Sequence, residues 1–307
     1  MTLKQEEEAS LQADQIFEEF QIIQMNASIL SNERLNRNCW RMLLDSPQIA
    51  SEMKPGQFIH VKIGGAGGPL FRRPLSVFRR VKVNGGGLGI EIVYKIVGLG
   101  TGLMAGLREG DTVDIIGPLG HGFELHQDKP VQVLVAGGTG AACLFLLAEG
   151  ISRAGLQLKV LLGAETKASV ILEKEYATLK GEVMVSTDDG TYGYHGFVTE
   201  MLDKAFRERK ISTDCAIYSS GPEIMLKVLA PICQKYHIPT QVSMERHMMC
   251  GIGACLACVC KVDTNHVSKY RDRGSSHIQF VSDKEFGYAL VCKDGPVFNI
   301  NEVIFDD

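Results

Sequence analysis

The 307-residue chain has almost no charge imbalance: 32 Lys and Arg stand against 36 Asp and Glu, a net charge of −4. Nucleic acids and anionic membranes are bound by a basic face, which this balance does not suggest, so no nucleic acid or membrane partner is expected. The opening residues, MTLKQEEEASLQADQIF, are acidic and lack the apolar core of a secretory signal, which points to the reducing cytoplasm. Long apolar runs are missing with one exception, residues 131–148, VQVLVAGGTGAACLFLLA, which carry no formal charge. Gly137, Gly138 and Gly140 divide that run into a Val-rich half and an Ala/Leu-rich half. It therefore reads as strand, tight loop and buried helix, not as a membrane span. There are no internal repeats, and no low-complexity tract beyond clusters of glycine.

A hydrophobic content of 45% over this length can bury the cores of two or three compact units. Residues 1–20 are Glu-rich with scattered Leu11, Ile16, Phe17 and Phe20, compatible with a disordered tail or a frayed amphipathic helix. Residues 21–127 hold short β-type runs, QFIHVKI, PLSVFRRVKV, GIEIVYKIV and DTVDIIG, separated by Gly and Pro, a spacing that suggests an antiparallel barrel. Residues 128–243 alternate strand-like and helix-like segments from VQVLVA to TQVSM. This pattern predicts a parallel sheet wrapped by helices, with ligands at the carboxyl ends of its strands. Residues 244–307 form a cysteine-rich module with a polar insert at 263–283.

Five of the nine cysteines crowd into residues 250–292. In a chain without a signal peptide such crowding favours metal or cluster ligation over disulfides. CGIGACLAC places Cys250, Cys255 and Cys258 at CxxxxCxxC spacing, and Cys292 follows before DGPVF. This is the pattern of a plant-type [2Fe–2S] cluster, which takes three thiolates from one tight loop and a fourth from further along. Zinc also accepts four thiolates but is usually served by two short pairs. Cys260 is expected to be a free thiol or to lie behind the ligands, and Cys39, Cys143, Cys215 and Cys233 read as core residues.

In the barrel segment RRPLS sets Arg73 three positions before Ser76. A guanidinium suits a pyrophosphate, and a strand-borne hydroxyl suits a flavin ring. Further on, Gly98, Gly100 and Gly102 surround Thr101, where backbone N–H groups can approach phosphate oxygens. Barrel strand, RPLS, YK, GT and GPLG in this order resemble the ferredoxin–NADP reductase superfamily. The resemblance implies FAD held by Arg73, Pro74, Leu75, Ser76, Val93, Tyr94, Lys95, Gly100 and Thr101. Lys95 departs from that family's usual Arg and supplies charge without a planar fork.

Gly137-Gly138-Thr139-Gly140 resembles the nucleotide loop of the same superfamily. It is not a GxGxxG fingerprint, since Cys143 occupies the third glycine position. SSGPEIML resembles the turn that closes the nicotinamide site, which adds Ser220, Gly221 and Pro222 to the NAD(H) candidates; Ser220 stands where that family usually has Cys. Glu165 at the end of the second strand of this region suits a ribose 2′-OH and repels a 2′-phosphate, which favours NADH, although Lys167 beside it argues the other way. His121 and His195 sit in Gly-rich loops where the sequence matches no base or nucleophile to them, and they are read as plain polar residues.

With VSMERHMMCGIGACLACVCKV and VCKDGPVF appended, residues 22–307 resemble the electron transfer subunits of dihydroorotate dehydrogenase B. The resemblance implies a fold of the β + α/β class: an antiparallel FAD-binding β-barrel, a parallel-sheet NAD-binding domain and a small C-terminal [2Fe–2S] module. It implies cluster ligation by Cys250, Cys255, Cys258 and Cys292, and a hetero-oligomer with an FMN-containing catalytic subunit in pyrimidine biosynthesis. It also implies an enzyme subunit without a catalytic acid or nucleophile, because a flavin mediates between a two-electron hydride and a one-electron cluster. The insert makes the step from Cys258 to Cys292 longer than that family's pattern. Two other readings stay open: a related reductase subunit of an NAD(P)H/ferredoxin or sulfide-type complex, and a redox sensor on an inactive scaffold.

Overall fold

A computed structural model describes residues 22–64, 68–83, 85–263, 279–280 and 286–305. The Glu-rich segment 1–20 and nearly all of the 263–283 insert lie outside the described residues.

Six antiparallel strands close the first unit: β1 (Ile23–Arg34), β2 (Cys39–Asp45), β3 (Phe58–Lys62), β4 (Arg73–Lys82), β5 (Leu88–Lys95) and β6 (Thr112–Leu119), joined around the barrel in the order β1-β2-β5-β4-β3-β6. Ile29, Leu44, Ile59, Val61, Ile90, Ile92 and Ile115 fill the interior and are wholly buried. A short helix, α1 (Pro47–Glu52), starts on a proline and tucks Ile49 and Ala50 into the same core. A second, α2 (Leu99–Ala105), bridges β5 to β6. Strands β3 to β6 match the four β-type runs of the sequence. β1 and β2 have no such counterpart: Asn26, Ala27, Ser28 and Asn32 are weak strand formers, held extended by pairing with β6 and β2.

The second unit is a sheet of β7 (Val131–Gly137), β8 (Gln157–Ala164), β9 (Glu182–Thr187), β10 (Tyr194–His195), β11 (Cys215–Ser220) and β12 (Thr240–Ser243), ordered β10-β9-β8-β7-β11-β12 and parallel throughout. Helices α3 (Gly140–Arg153), α4 (Glu173–Ala177), α5 (Val198–Arg207) and α6 (Glu223–Tyr236) complete it. Strand order reverses at β7, so a crevice opens beyond the carboxyl ends of β7 and β11. The uncharged run 131–148 is β7, its turn and the first part of α3. Among the described residues no helix is long and apolar enough to cross a membrane.

The C-terminal part adds β13 (Val259–Asp263), β14 (Gln279–Phe280), β15 (Phe286–Leu290), β16 (Val297–Asn299) and β17 (Val303–Ile304). β14, β15, β13 and β17 make a small antiparallel sheet, whereas β16 leaves it and pairs antiparallel with β12, extending the nucleotide sheet by one edge strand.

The barrel and the sheet share a core. Phe78 of β4 meets Phe145 of α3 at a ring-centroid separation of 4.4 Å, and Phe145 meets Tyr176 of α4 at 5.0 Å. The Tyr176 hydroxyl donates to the Ala141 carbonyl at 2.6 Å, which satisfies a polar atom that would otherwise be buried unpaired. Outside this core Arg41 of β2 reaches Glu175 of α4 at 3.2 Å. Phe145→Ala leaves a cavity between the units, and the expected loss is about 3–5 kcal/mol, read as a lowered thermal midpoint with the barrel and the sheet separating in limited proteolysis.

Candidate functional site

The flavin candidates divide by where their side chains go. The Arg73 guanidinium lies over the α-carbon of Gly100, so that a methyl there would stand 2.9 Å from Arg73 Nε, and its Nη1 donates to the Phe71 carbonyl at 2.7 Å. Thr101 Oγ1 accepts from the N–H of Val97 at 2.9 Å and of Gly98 at 3.3 Å, which closes the loop leading into α2. Arg73, Gly100 and Thr101 are thus brought together, and the bare Gly100 backbone beside a guanidinium is a cradle that fits a pyrophosphate. Tyr94 points the other way. Its hydroxyl donates to Asn32 Oδ1 at 3.0 Å inside the barrel, and burial pushes it up to about 12. Val93 packs in the core shared with α3, Leu75 lies against the barrel core, and Lys95 is exposed.

The two nicotinamide motifs, about 80 residues apart in sequence, pack on one another at the crevice. A side chain on Gly140 would overlap the Ser220 carbonyl oxygen, and one on Gly137 would meet Pro222 Cδ at 2.9 Å and Met225 Sδ at 2.8 Å. Gly138 has φ +54°, a left-handed conformation that favours glycine. The Cys143 thiol, in the place of a third glycine, is buried and donates to Ser243 Oγ at 3.5 Å. Burial raises its pKa. Further along the sheet, the Asp188 carboxyl is raised by burial and then by Glu165, Asp189 and Glu200, an acidic patch at the ends of β8 and β9.

The cysteines form two pairs. Cys258 and Cys292 are both 2% exposed; their thiols are free and hydrogen-bonded to one another, and the Cys292 N–H donates to Cys258 Sγ at 3.4 Å. That bond draws Cys258 down to about 6 and sends Cys292 up. The Cys292 turn is fixed by the buried Asp294, whose Oδ2 accepts the Leu290 N–H at 2.7 Å. Cys250 and Cys255 make the second pair, nearer the surface. Burial would raise Cys250, but the N–H groups of Ile252, Cys255 and Ala254 and the Cys255 thiol outweigh it and bring it to about 7. Gly251 and Gly253 supply the positive φ, +76° and +87°, that turns those amides inward.

Among the described residues no three ligating side chains converge as a single ion would need. Two thiol pairs instead suit a dinuclear cluster with two protein ligands per iron, and the inward amides suit its negative charge. Cys260 stands apart, buried in β13 with its thiol pushed up to about 12 by that burial.

Several residues at the site escape a motif reading. Arg246 clasps Glu223 through Nη1 to Oε2 at 2.5 Å and Nη2 to Oε1 at 2.8 Å, joining the start of α6, next to Pro222, to the approach of the cysteine loop. Glu245, next to Arg246 in the chain, is exposed as a residue, while burial of its carboxyl raises its pKa. His60 of β3 is wholly buried and sets Nδ1 3.3 Å from the Cys250 carbonyl oxygen. Its burial lowers it to about 4 and keeps it neutral. No local pattern marks these residues, because their partners lie on other elements.

A closed barrel, a parallel nucleotide sheet with its crevice and a thiol-bearing loop define a flavin- and nicotinamide-type reductase carrying an iron–sulfur module. The family model described as the iron-sulfur cluster binding domain of dihydroorotate dehydrogenase B matches residues 245–272. The electron transfer subunit of dihydroorotate dehydrogenase B (NAD(+)) from Desulforamulus reducens is 33% identical over 281 residues, spanning 92% of this chain and 98% of that protein. That of Geobacillus kaustophilus is 36% identical over 281 residues, 90% of this chain and 97% of its own. The chain belongs to the family of dihydroorotate dehydrogenase B electron transfer subunits. Among solved structures, one of an NADH-dependent reduced ferredoxin–NADP oxidoreductase superposes with a TM-score of 0.74 at 30% identity, covering 91% of this chain and 90% of that one. A ferredoxin–NADP+ reductase from Neisseria gonorrhoeae with bound FAD and NADP shares the fold at a TM-score of 0.59 and 18% identity, over 74% of this chain and 95% of its own.

Two alanine substitutions separate the two nucleotide sites. Gly140→Ala is expected to displace the SSGP turn and abolish NADH binding while FAD is retained. Gly100→Ala should push the flexible Arg73 guanidinium aside and weaken FAD by about tenfold, or about 1.4 kcal/mol, with little change in the thermal midpoint. Titration of each cofactor into each variant checks both.

Proposed function

We propose that this chain binds FAD, NADH and a [2Fe–2S] cluster and relays electrons between NAD(H) and a partner flavoprotein, the FMN-containing subunit that oxidises dihydroorotate in pyrimidine biosynthesis. The observation that carries the proposal is the pairing of Cys250 with Cys255 and of Cys258 with Cys292, next to a barrel and a crevice that present flavin- and nicotinamide-type motifs. In this reading the domains run 21–127 for FAD, 128–243 for NAD(H) and 244–307 for the cluster, after a tail at 1–20, and the complex works in the cytoplasm.

Bound FAD exchanges a hydride on one side and single electrons on the other, and a [2Fe–2S] cluster carries one electron at a time. The protein's part is binding, orientation and exclusion of water. Arg73 would neutralise the pyrophosphate at the Gly100 backbone, while Pro74, Leu75 and Ser76 and the backbone of Val93, Tyr94 and Lys95 would line the flavin's strand wall. Gly137, Gly138 and Gly140 let the nicotinamide nucleotide approach the backbone, and Ser220, Gly221 and Pro222 close the crevice opposite Ser76. The acidic patch of Glu165 and Asp188 discriminates against a 2′-phosphate and favours NADH. Amides of Ile252, Ala254 and Cys255 stabilise charge at the outer thiolate pair, and the sealed pair keeps water from the other side.

A second reading, in which the partner is the large subunit of a ferredoxin-linked NAD(P)H oxidoreductase, is favoured by the 30% identity to the ferredoxin–NADP oxidoreductase structure and by Ser220 in place of the family's usual cysteine. Co-expression with each class of partner separates the two: dihydroorotate-driven reduction of NAD+ by the copurified complex supports the first reading, and its absence alongside ferredoxin-driven reduction supports the second.

Anaerobically purified protein is expected to be coloured, to hold iron and acid-labile sulfide in equal amounts, and to give a [2Fe–2S] EPR signal on reduction; bound zinc and no sulfide would overturn the cluster assignment. Cys292→Ser should lose the signal while FAD stays bound. NADPH should bind about tenfold more weakly than NADH, and Glu165→Gln should narrow that gap, as measured by flavin reduction kinetics.

A further inference from the structure

His60 is the residue at which the flavin wall and the cysteine loop meet. On β3, Ile59 and Val61 point into the barrel core, while Phe58 joins the hydrophobic cluster that contains Cys258 and Cys292. Strand alternation therefore puts His60 on the same outer face as Phe58. Its antiparallel neighbour across the barrel wall is Pro74 of RPLS, and that of Phe58 is Ser76. On the other side its ring abuts the loop: Nδ1 is 3.3 Å from the Cys250 carbonyl, and a methyl on Gly251 would lie 2.5 Å from that same nitrogen.

A carbonyl oxygen only accepts, so Nδ1 must be the donor, and the proton sits there. Nε2 is then an acceptor, sealed from solvent and without a hydrogen bond to any of the described residues. A buried polar atom left unpaired is unfavourable, and an apolar side chain of similar size would avoid that cost. Packing alone does not explain an imidazole here, whereas its one directed bond does. The strand itself is held in place by Arg72, whose Nη1 reaches the carbonyls of His60 at 3.4 Å and Asp114 at 2.9 Å and whose Nη2 reaches Asp114 Oδ2 at 2.5 Å.

We propose that His60 is a positioning residue for electron transfer: its Nδ1–H, bonded to the Cys250 carbonyl, fixes the outer half of the cysteine loop against the flavin-binding strand. The inference rests on Cys250 as a cluster ligand and on RPLS as the flavin wall. The contact would lie between a flavin held along RPLS and a cluster held by the cysteine loop, and the imidazole itself neither gains nor loses a proton.

The test compares His60→Leu, which removes the donor, with His60→Asn, whose amide nitrogen stands at the position of Nδ1. Each is purified anaerobically as the full chain with FAD and assayed for iron, EPR line shape, cluster potential and two stopped-flow phases, flavin reduction by NADH and cluster reduction by flavin. In His60→Leu the first phase should be unchanged. The cluster equilibrium should shift about fivefold, the size of one neutral hydrogen bond, or about 40 mV for a one-electron couple, with an altered EPR signal and a slower second phase. His60→Asn should restore all three. Loss of the cluster in His60→Leu with recovery in His60→Asn supports the same role. A His60→Leu protein with wild-type potential, EPR signal and second phase overturns the inference while leaving the cluster assignment intact, and defects that Asn does not repair overturn it too. A wild-type protein without iron would overturn both.

Discussion

The outer face of barrel strands β3 and β4 is buried where an isolated barrel would be wet, and the rest of the molecule is assembled on it. Phe58, His60 and Phe78 are each at most 3% exposed. Each large apolar side chain sealed this way contributes about 1.5–3 kcal/mol relative to exposure. Phe78 is covered by α3 of the nucleotide unit, and Phe58 and His60 by the cysteine module. β4 also carries Arg73, Pro74 and Ser76, and β3 pairs with it there. The burial that stabilises the architecture thus also sets the RPLS strand beside both the nucleotide unit and the cysteine loop.

Close backbone approach is the second constraint. At Gly140 and Gly137 the nucleotide loop touches the SSGP turn with no room for a β-carbon, which couples two motifs that are independent in sequence. The cysteine module is anchored by equally short-range means. β16 continues the nucleotide sheet beside β12, and Arg246 clamps Glu223 in a planar two-bond fork, a geometry that lysine does not reproduce. These ties bring Cys292 back to Cys258 from the far side of the polar insert, so the length of that insert does not disturb the pair.

Much of the site was legible because its motifs are local. RPLS, GGTG, SSGP and CxxxxCxxC each occupy a few consecutive residues whose type follows from a turn, a phosphate approach or a thiolate, and the strand and helix periods of 128–243 reappear as β7 to β12 with their helices. Where interactions are long-range the reading thinned. Strands β1 and β2 have ordinary sequences that become strands only by pairing, and Tyr94 sits within the YK motif yet spends its hydroxyl on Asn32 inside the barrel.

The sequence alone determined the chemistry that this chain can offer: four thiols in cluster order, glycine loops suited to dinucleotides, an arginine suited to a pyrophosphate, and the family to which they belong. These follow from residue type and short spacing, which folding does not change. Only the tertiary structure decided how the groups associate. It sorted the cysteines into a sealed pair and an outer pair, put the Cys143 sulfur on the Ser243 hydroxyl, and set the His60 ring against a loop 190 residues away. The physical reason is that burial and hydrogen bonding act between surfaces, and which surfaces meet is settled by sheet order and packing rather than by proximity along the chain.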